Sequence, residues 1–245
     1  MLRRRFYQSY KSPINNGVYA VRQDGRLIPL SRADNSCISV AKIMIEKNED
    51  SNQSYKTATS DLPDSSNKTY SFYWGEHGTD QIGITNYDKV DGINSFGFLK
   101  QESGSYGGTP NISENISSWT SGALSDWKGK ANSEVLKGIT TGGDSYTSYA
   151  TAGHVLNTFL ASPDAKGYDD WYIPSCGELS LIYMHLTSVN NALSAIGGQQ
   201  LTKDYYLSSS EYDPENFWIV LFNNGRVFKR PKRLGCRVRF VRKIE

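Results

Sequence analysis

Between Asn216 and Lys243 the chain carries nine basic side chains and no acidic one: Arg226, Lys229, Arg230, Lys232, Arg233, Arg237, Arg239, Arg242 and Lys243. Apolar and aromatic residues are threaded through them, as in Phe217-Trp-Ile-Val-Leu-Phe222 and Val227-Phe228. Guanidinium groups beside aromatic rings suit non-covalent capture, through charge-assisted hydrogen bonds and cation–π contact. The same cations can instead close ion pairs inside a fold. Arg237, Arg239 and Arg242 are candidates for that role, with carboxylates of other elements, such as Glu178 or Glu211, as partners, whereas Arg226, Arg230 and Arg233 fall in outward or loop-like positions. Metal chemistry finds little footing. His77, His154 and His185 have no ligand-like spacing, and Cys37, Cys176 and Cys236 form neither a CxxC site nor a disulfide framework. The cysteines read as buried, reduced thiols. No nucleophile-elbow motif is present. The expectation is a non-enzyme without a cofactor or metal.

The elements that would carry these residues follow from periodicity. Val18 to Arg22 and Leu27 to Leu30 are β-prone and flank Asp24-Gly25, a hairpin signal; Cys37 to Ile45 reads as a third strand. From Glu46 to about Ser118 the chain is rich in Ser, Asn, Asp, Gly and Thr, with apolar punctuation only at Tyr70–Trp74, Ile82–Ile84 and Phe96–Leu99. Helical spacing then appears at Leu124, Trp127, Ala131 and Val135, and again from Val155 to Leu160. Ser175-Cys-Gly-Glu178 is a capping box, followed by a stripe through Leu179, Ile182, Leu186, Val189, Leu193 and Ile196 with a break expected near Thr187-Ser188. His185 falls off that stripe, at a cap or on the surface. Tyr205–Ser210, Asn216–Phe222, Arg226–Arg230 and Cys236–Val241 are strand candidates, with Asn224-Gly225 as a two-residue hairpin turn. Strands, a polar insertion, helices and strands in that order indicate an α+β fold: a mixed antiparallel sheet, two or three helices and a long polar insertion, with the N-terminal strands completing the C-terminal sheet.

Strand alternation gives the most specific expectation. Phe217, Ile219 and Leu221 share one face of their strand, and Arg226, Phe228 and Arg230 share one face of the next. One surface of the sheet is therefore expected to present mixed arginine and aromatic side chains to solvent, the composition of an interaction surface.

Composition bounds the partners. The 245 residues include 27 basic and 25 acidic side chains, a net charge of +2, and no DNA- or RNA-binding motif, which disfavours nucleic acid. Mean hydropathy is −0.54 and no apolar run approaches the roughly 20 residues of a spanning helix, so membrane insertion is not expected. Residues 1–13 form a basic tail in which Arg3, Arg4 and Arg5 lack the apolar run of a signal peptide; such a tail is solvated or docks on another protein, with Tyr7 and Tyr10 as anchors. Residues 14–245 read as one domain, with the insertion at about 46–118.

Two further strings carry a resemblance. Asp170-Trp-Tyr-Ile-Pro-Ser175 with Glu178-Leu179 is similar to the D-W-x-L-P-S-x-x-E-L signature of C-type-lectin-like domains of the formylglycine-generating-enzyme type. Tyr206-Leu-Ser-Ser-Ser-Glu211, then Trp218, Phe222, Gly225, Lys232 and Val238-Arg-Phe-Val-Arg242, resembles the Y-W-S-S-S-E…W…F…G…K…VR-x-VR pattern of variable proteins of diversity-generating retroelements, with Leu207 in place of the usual Trp. The match covers about residues 121–243. The resemblance implies a C-type-lectin-like scaffold that displays a diversified surface at about 205–240 and binds a host cell-surface protein or glycan, as a phage tail-fibre or receptor-binding component does. Its scaffold positions would be Ser208, Ser209, Glu211, Trp218, Phe222, Gly225, Val238, Arg239 and Arg242. Its ligand-binding positions would be Tyr206, Tyr212, Asp213, Asn216, Phe217, Ile219, Leu221, Asn223, Asn224, Arg226, Phe228, Arg230, Arg233 and Leu234. It further implies a virion location after synthesis in the bacterial host cytoplasm, or alternatively the bacterial cell surface. Contact with other virion proteins would run through the N-terminal tail, and a homotrimer is compatible with a fibre tip. The alternative is a structural virion component without receptor binding of its own. Enzymes of this fold hold copper with a cysteine pair, absent here, and Asp213-Pro-Glu-Asn216 is only a scrambled version of the calcium and sugar triplet of classical C-type lectins.

Overall fold

The computed structural model describes residues 19–22, 26–34, 36–41, 45–46, 72–88, 107–108, 122–139, 150–165 and 167–242. The architecture is mixed α+β. Two antiparallel sheets form, not the single sheet expected. The first has the order β2-β1-β3-β4 and contains β1 (Tyr19–Arg22), β2 (Leu27–Pro29), β3 (Cys37–Ala41) and β4 (Ile45–Glu46). The run from Cys37 to Ile45 is thus two paired strands, with Ser39 opposite Glu46. The Asp24-Gly25 turn and Phe96–Leu99 lie outside the described residues, as do the tail 1–13 and most of the insertion.

The second sheet has the order β5-β8-β7-β6, from β5 (Gly107–Gly108), β6 (Tyr205–Glu211), β7 (Asn216–Leu221) and β8 (Arg226–Pro231). Leu221 pairs with Arg226, so the β7–β8 connection holds four residues where two were expected. The Gly225 N–H closes that turn on the Leu221 carbonyl at 2.8 Å. Gly225 sits at φ 73°, and a Cβ there would lie 2.2 Å from the Tyr183 ring. Only glycine meets both conditions, so the hairpin can seat directly on the helical layer. Cys236–Val241 is not a ladder strand. It makes single bridges instead, Cys236 to Phe72, Arg237 to Tyr206 and Val241 to Tyr172.

Four helices occur among the described residues, more than the two or three expected: α1 (Gly129–Lys137), α2 (Ala152–Leu160), α3 (Cys176–Met184) and α4 (Leu186–Ala195). Leu124 belongs to a separate 3₁₀ turn before α1. The capping box at Ser175 and Glu178 starts α3, with the Glu178 carboxylate accepting the Ser175 N–H at 2.9 Å. The long stripe breaks at His185, which caps the end of α3 and the start of α4, two residues before the expected point.

Strands β6 and β7 of the C-terminal sheet are largely buried on both faces. Tyr206, Trp218, Val220 and Val227 pack with α3 and α4 in one core, which also takes in Ala20 and Cys37 of the first sheet. Leu207, Phe217 and Ile219 pack in a second core with Phe72, Trp74, Val155, Phe159, Val238 and Phe240. Part of the polar insertion is therefore structural, since Phe72 and Trp74 are core residues and the Phe72 N–H bonds the Cys236 carbonyl at 2.8 Å. All three cysteines are buried and none is in a disulfide.

Candidate functional site

Antiparallel register places Tyr205 of β6, Leu221 of β7 and Arg226 of β8 side by side, and Leu207, Ile219 and Phe228 in the next row. With Phe217 and Arg230 these residues share one face. That face divides. Its inner part is closed: Leu207, Phe217 and Ile219 have no exposure, and Phe217 stacks on Trp74 at 5.9 Å between centroids. Trp74 is itself fixed by its indole N–H, which donates to the Ser208 carbonyl at 2.7 Å. The outer part is open. Tyr205, Leu221, Phe228 and Arg230 are half-buried and Arg226 is exposed.

The open part is ordered by ring contacts. Tyr205 and Phe228 meet edge to face at 5.9 Å. The Arg230 guanidinium lies 4.8 Å from the Tyr205 ring, and that of Arg226 lies 5.9 Å from the Phe228 ring. Arg230 Nη2 donates to the Gly235 carbonyl at 3.3 Å, which brings the exposed Arg233 and Leu234 turn to the border of the cluster. Among the described residues no carboxylate pairs with Arg226 or Arg230. Arg237 and Arg242 differ: as expected they pair with carboxylates of other elements, Asp204 at 2.9 Å and Asp170 at 2.8 Å. Arg239 is fully buried and donates to the Gln199 carbonyl at 3.2 Å.

The sheet end near β6–β7 is held by a buried ion pair. Glu211 and Lys232 have no side-chain exposure and bond each other; Lys232 Nζ also donates to the Thr79 carbonyl at 2.7 Å, and Glu211 accepts the Gln81 N–H at 3.2 Å. Burial pushes the Glu211 carboxyl up and the Lys232 ammonium down, each opposed by the partner charge. The pair ties β6, the turn after β8 and the 79–81 segment together, and so fixes the sheet that carries the open cluster.

Several expected binding positions lie elsewhere. Tyr206 is fully buried: its ring packs on Phe222 at 4.5 Å and its hydroxyl accepts the Thr202 N–H at 3.0 Å. Phe217 and Ile219 are sealed in the second core. These three are corrections to the expected surface, and the cause is the cover supplied by residues 72–74 and 236–240 and, on the other face, by the helices. Tyr212 faces the opposite side, under Lys229 Nζ at 4.5 Å and against Trp218 at 5.3 Å. Asp213 and Asn216 are absorbed by the β6–β7 turn, where Asp213 Oδ1 accepts the N–H groups of Glu215 at 2.8 Å and Asn216 at 2.7 Å. Asn223 is exposed at the hairpin tip, and Asn224 Oδ1 accepts the Arg226 N–H at 3.1 Å. The structure thus brings together Leu221, Arg226, Phe228 and Arg230, with Arg233 and Leu234 beside them, and adds Tyr205. The signal for Tyr205 was its place two residues before Leu207 on the same face. Among the described residues no group of three or more His, Cys, Asp or Glu is placed to hold a metal ion.

The family model for the Lcl C-terminal domain matches residues 117–242, slightly more than half of the chain. A solved structure of a fimbrial protein from Bacteroides ovatus resembles the chain with a TM-score of 0.46 and 17% identity, over 91% of this chain and 48% of that one. The chain spans about half the length of that protein. A search of curated proteins returned no match.

Proposed function

We propose that this chain, which belongs to the Lcl C-terminal domain family, is a non-enzymatic binding module that captures a molecule of a host cell surface through the open end of its C-terminal sheet. The scaffold in this reading is C-type-lectin-like, and the 205–240 region is the diversified surface of a phage adhesion protein. The observation that carries it is the Tyr205–Phe228 ring pair with Arg226 and Arg230 beside the rings and, among the described residues, no carboxylate partner for either. Side chains already ordered on a rigid sheet lose little entropy on binding, and aromatic and arginine residues are the usual anchors of an interface. The binding positions of this reading are Tyr205, Leu221, Asn223, Arg226, Phe228, Arg230, Arg233 and Leu234.

The test is adhesion of the purified chain to cells of the strain that carries its gene. Replacing Phe228 and Arg230 together by Ala is expected to abolish adhesion and to move the melting temperature by only a few degrees, as half-buried side chains do. Adhesion equal to that of the parent chain overturns the site. A reverse-transcriptase gene beside a near-copy of the 3′ coding end, differing mainly at adenines, would independently support diversification.

A further inference from the structure

The binding reading leaves open what chemistry the open cluster selects, and the following rests on that reading. Two features of the cluster are specific. First, both guanidiniums lie beside rings; Arg230 Nη2 is held by the Gly235 carbonyl and its Nε is buried, while Arg226 is exposed and keeps an in-plane N–H edge for a ligand. Such an edge takes a carboxylate with two parallel hydrogen bonds. Arg237 and Arg242 have spent theirs on Asp204 and Asp170, whereas among the described residues neither Arg226 nor Arg230 meets a carboxylate, and Arg230 offers a ligand the N–H groups that the Gly235 carbonyl and burial leave free. Second, the arginines alternate with an apolar side chain. Arg226, Phe228 and Arg230 lie at every second position of one strand, so their Cα atoms span about 13 Å at the usual rise per residue. Leu221 flanks Arg226 directly across the ladder, and Leu234, 39% exposed, lies on the border near Arg230.

We infer that the cluster binds an extended acidic peptide segment with the pattern acidic–x–apolar–x–acidic. Its two carboxylates meet Arg226 and Arg230, and the apolar side chain between them meets Phe228. The opposing period of 2 is what a peptide strand supplies and a polyanionic sugar does not, since a sugar chain would leave Phe228, Leu221 and Leu234 against polar groups.

The experiment selects a random dodecapeptide library on the immobilised full chain, with the R226A/R230A variant as counter-target. Enriched peptides are expected to carry two Asp or Glu residues four positions apart with an apolar residue between them. A fluorescein-labelled copy of the most enriched peptide is expected to bind at least about tenfold more tightly than its Asn/Gln counterpart, with a similar loss in R226A or R230A taken singly. Enrichment without acidic residues overturns the inference, as does equal recovery on R226A/R230A. Heparin, run alongside, that binds through the same arginines while no acidic peptide is enriched assigns the cluster to polyanionic sugars and overturns it too. If adhesion to cells still depends on Phe228 and Arg230 while the library yields no acidic peptide, the binding surface stands and only this ligand class falls.

Discussion

One face of the C-terminal sheet holds two neighbourhoods with opposite fates. Leu207, Phe217 and Ile219 are sealed, under Trp74 and beside Val238 and Phe240. One or two residues away, Tyr205, Leu221, Arg226, Phe228 and Arg230 stay open. The charges divide in the same way. Lys232 is buried against Glu211 and held by the Thr79 carbonyl, whereas Arg226 and Arg230 lie beside rings and meet no carboxylate among the described residues. Alternation along a strand decides which residues share a face, but not whether that face sees solvent. Exposure is decided by distant segments, here residues 72–74 and 236–240, which cover one end of the face and stop short of the other.

The largest effect expected from breaking this contrast is at the buried pair. Lys232→Met or Glu211→Gln alone leaves one group buried without its partner, a change of about 3–5 kcal/mol. It is read as a fall in the denaturant midpoint, and the double variant is expected to recover most of the loss. A single variant no weaker than a surface ion-pair mutant, under about 1 kcal/mol, would mean that this end of the sheet is not sealed.

Next in size is a direct comparison of two phenylalanines on the same face. Phe217→Ala removes a fully buried ring stacked on Trp74 and is expected to cost about 3–5 kcal/mol. Phe228→Ala removes a half-buried ring, costs about 1–2 kcal/mol and takes adhesion with it. Equal destabilisation by the two would erase the boundary drawn between closed and open ends.

That boundary was only partly legible in the sequence. The capping box at Ser175 and Glu178 and strands β6 to β8 are local signals of short range, and the structure bears them out within a residue; the helix expected from Val155 also forms but starts three residues earlier, at Ala152. The shared face of Arg226, Phe228 and Arg230 was also readable, because it depends only on period 2. The sealing of Phe217 and Ile219 was not. It depends on Trp74, more than 140 residues earlier in the chain and inside a stretch whose composition signals loops. A continuous apolar run such as 217–222 usually means a strand buried on both faces, and here that rule held against the argument from the arginines of β8. The split into two sheets was hidden for a similar reason: strand pairing is non-local, and the first sheet meets the helical core through Ala20 and Cys37 rather than joining β6–β8.

The smallest effect concerns pH, and it separates the two ends without changing a contact of the open one. Burial pushes the Tyr172 hydroxyl up, with the nearby Glu178 carboxylate adding to it, and burial likewise pushes the Cys176 thiol up, with the Asp126 charge adding to it. A group whose value is raised in the folded state binds its proton more tightly there than in the unfolded chain. Its contribution to stability is therefore complete below the ordinary values of 9.0 for Cys176 and 10.0 for Tyr172, and is lost as pH rises beyond them. Each group can supply a slope of up to about 1.4 kcal/mol per pH unit in that range. The closed core therefore weakens as pH rises from 9 to 11. Tyr172→Phe also loses the hydrogen bond from the hydroxyl to Glu178 Oε1 at 3.2 Å. The variant is expected to be slightly less stable at pH 8 yet to lose less stability between pH 9.5 and 11 than the parent chain, as urea midpoints across that range would show. Parallel pH profiles for the two proteins would remove Tyr172 from the account and leave alkaline loss to Cys176, Tyr87 and Tyr183, which burial also pushes up, with Cys176→Ala in the same series isolating the share of the thiol.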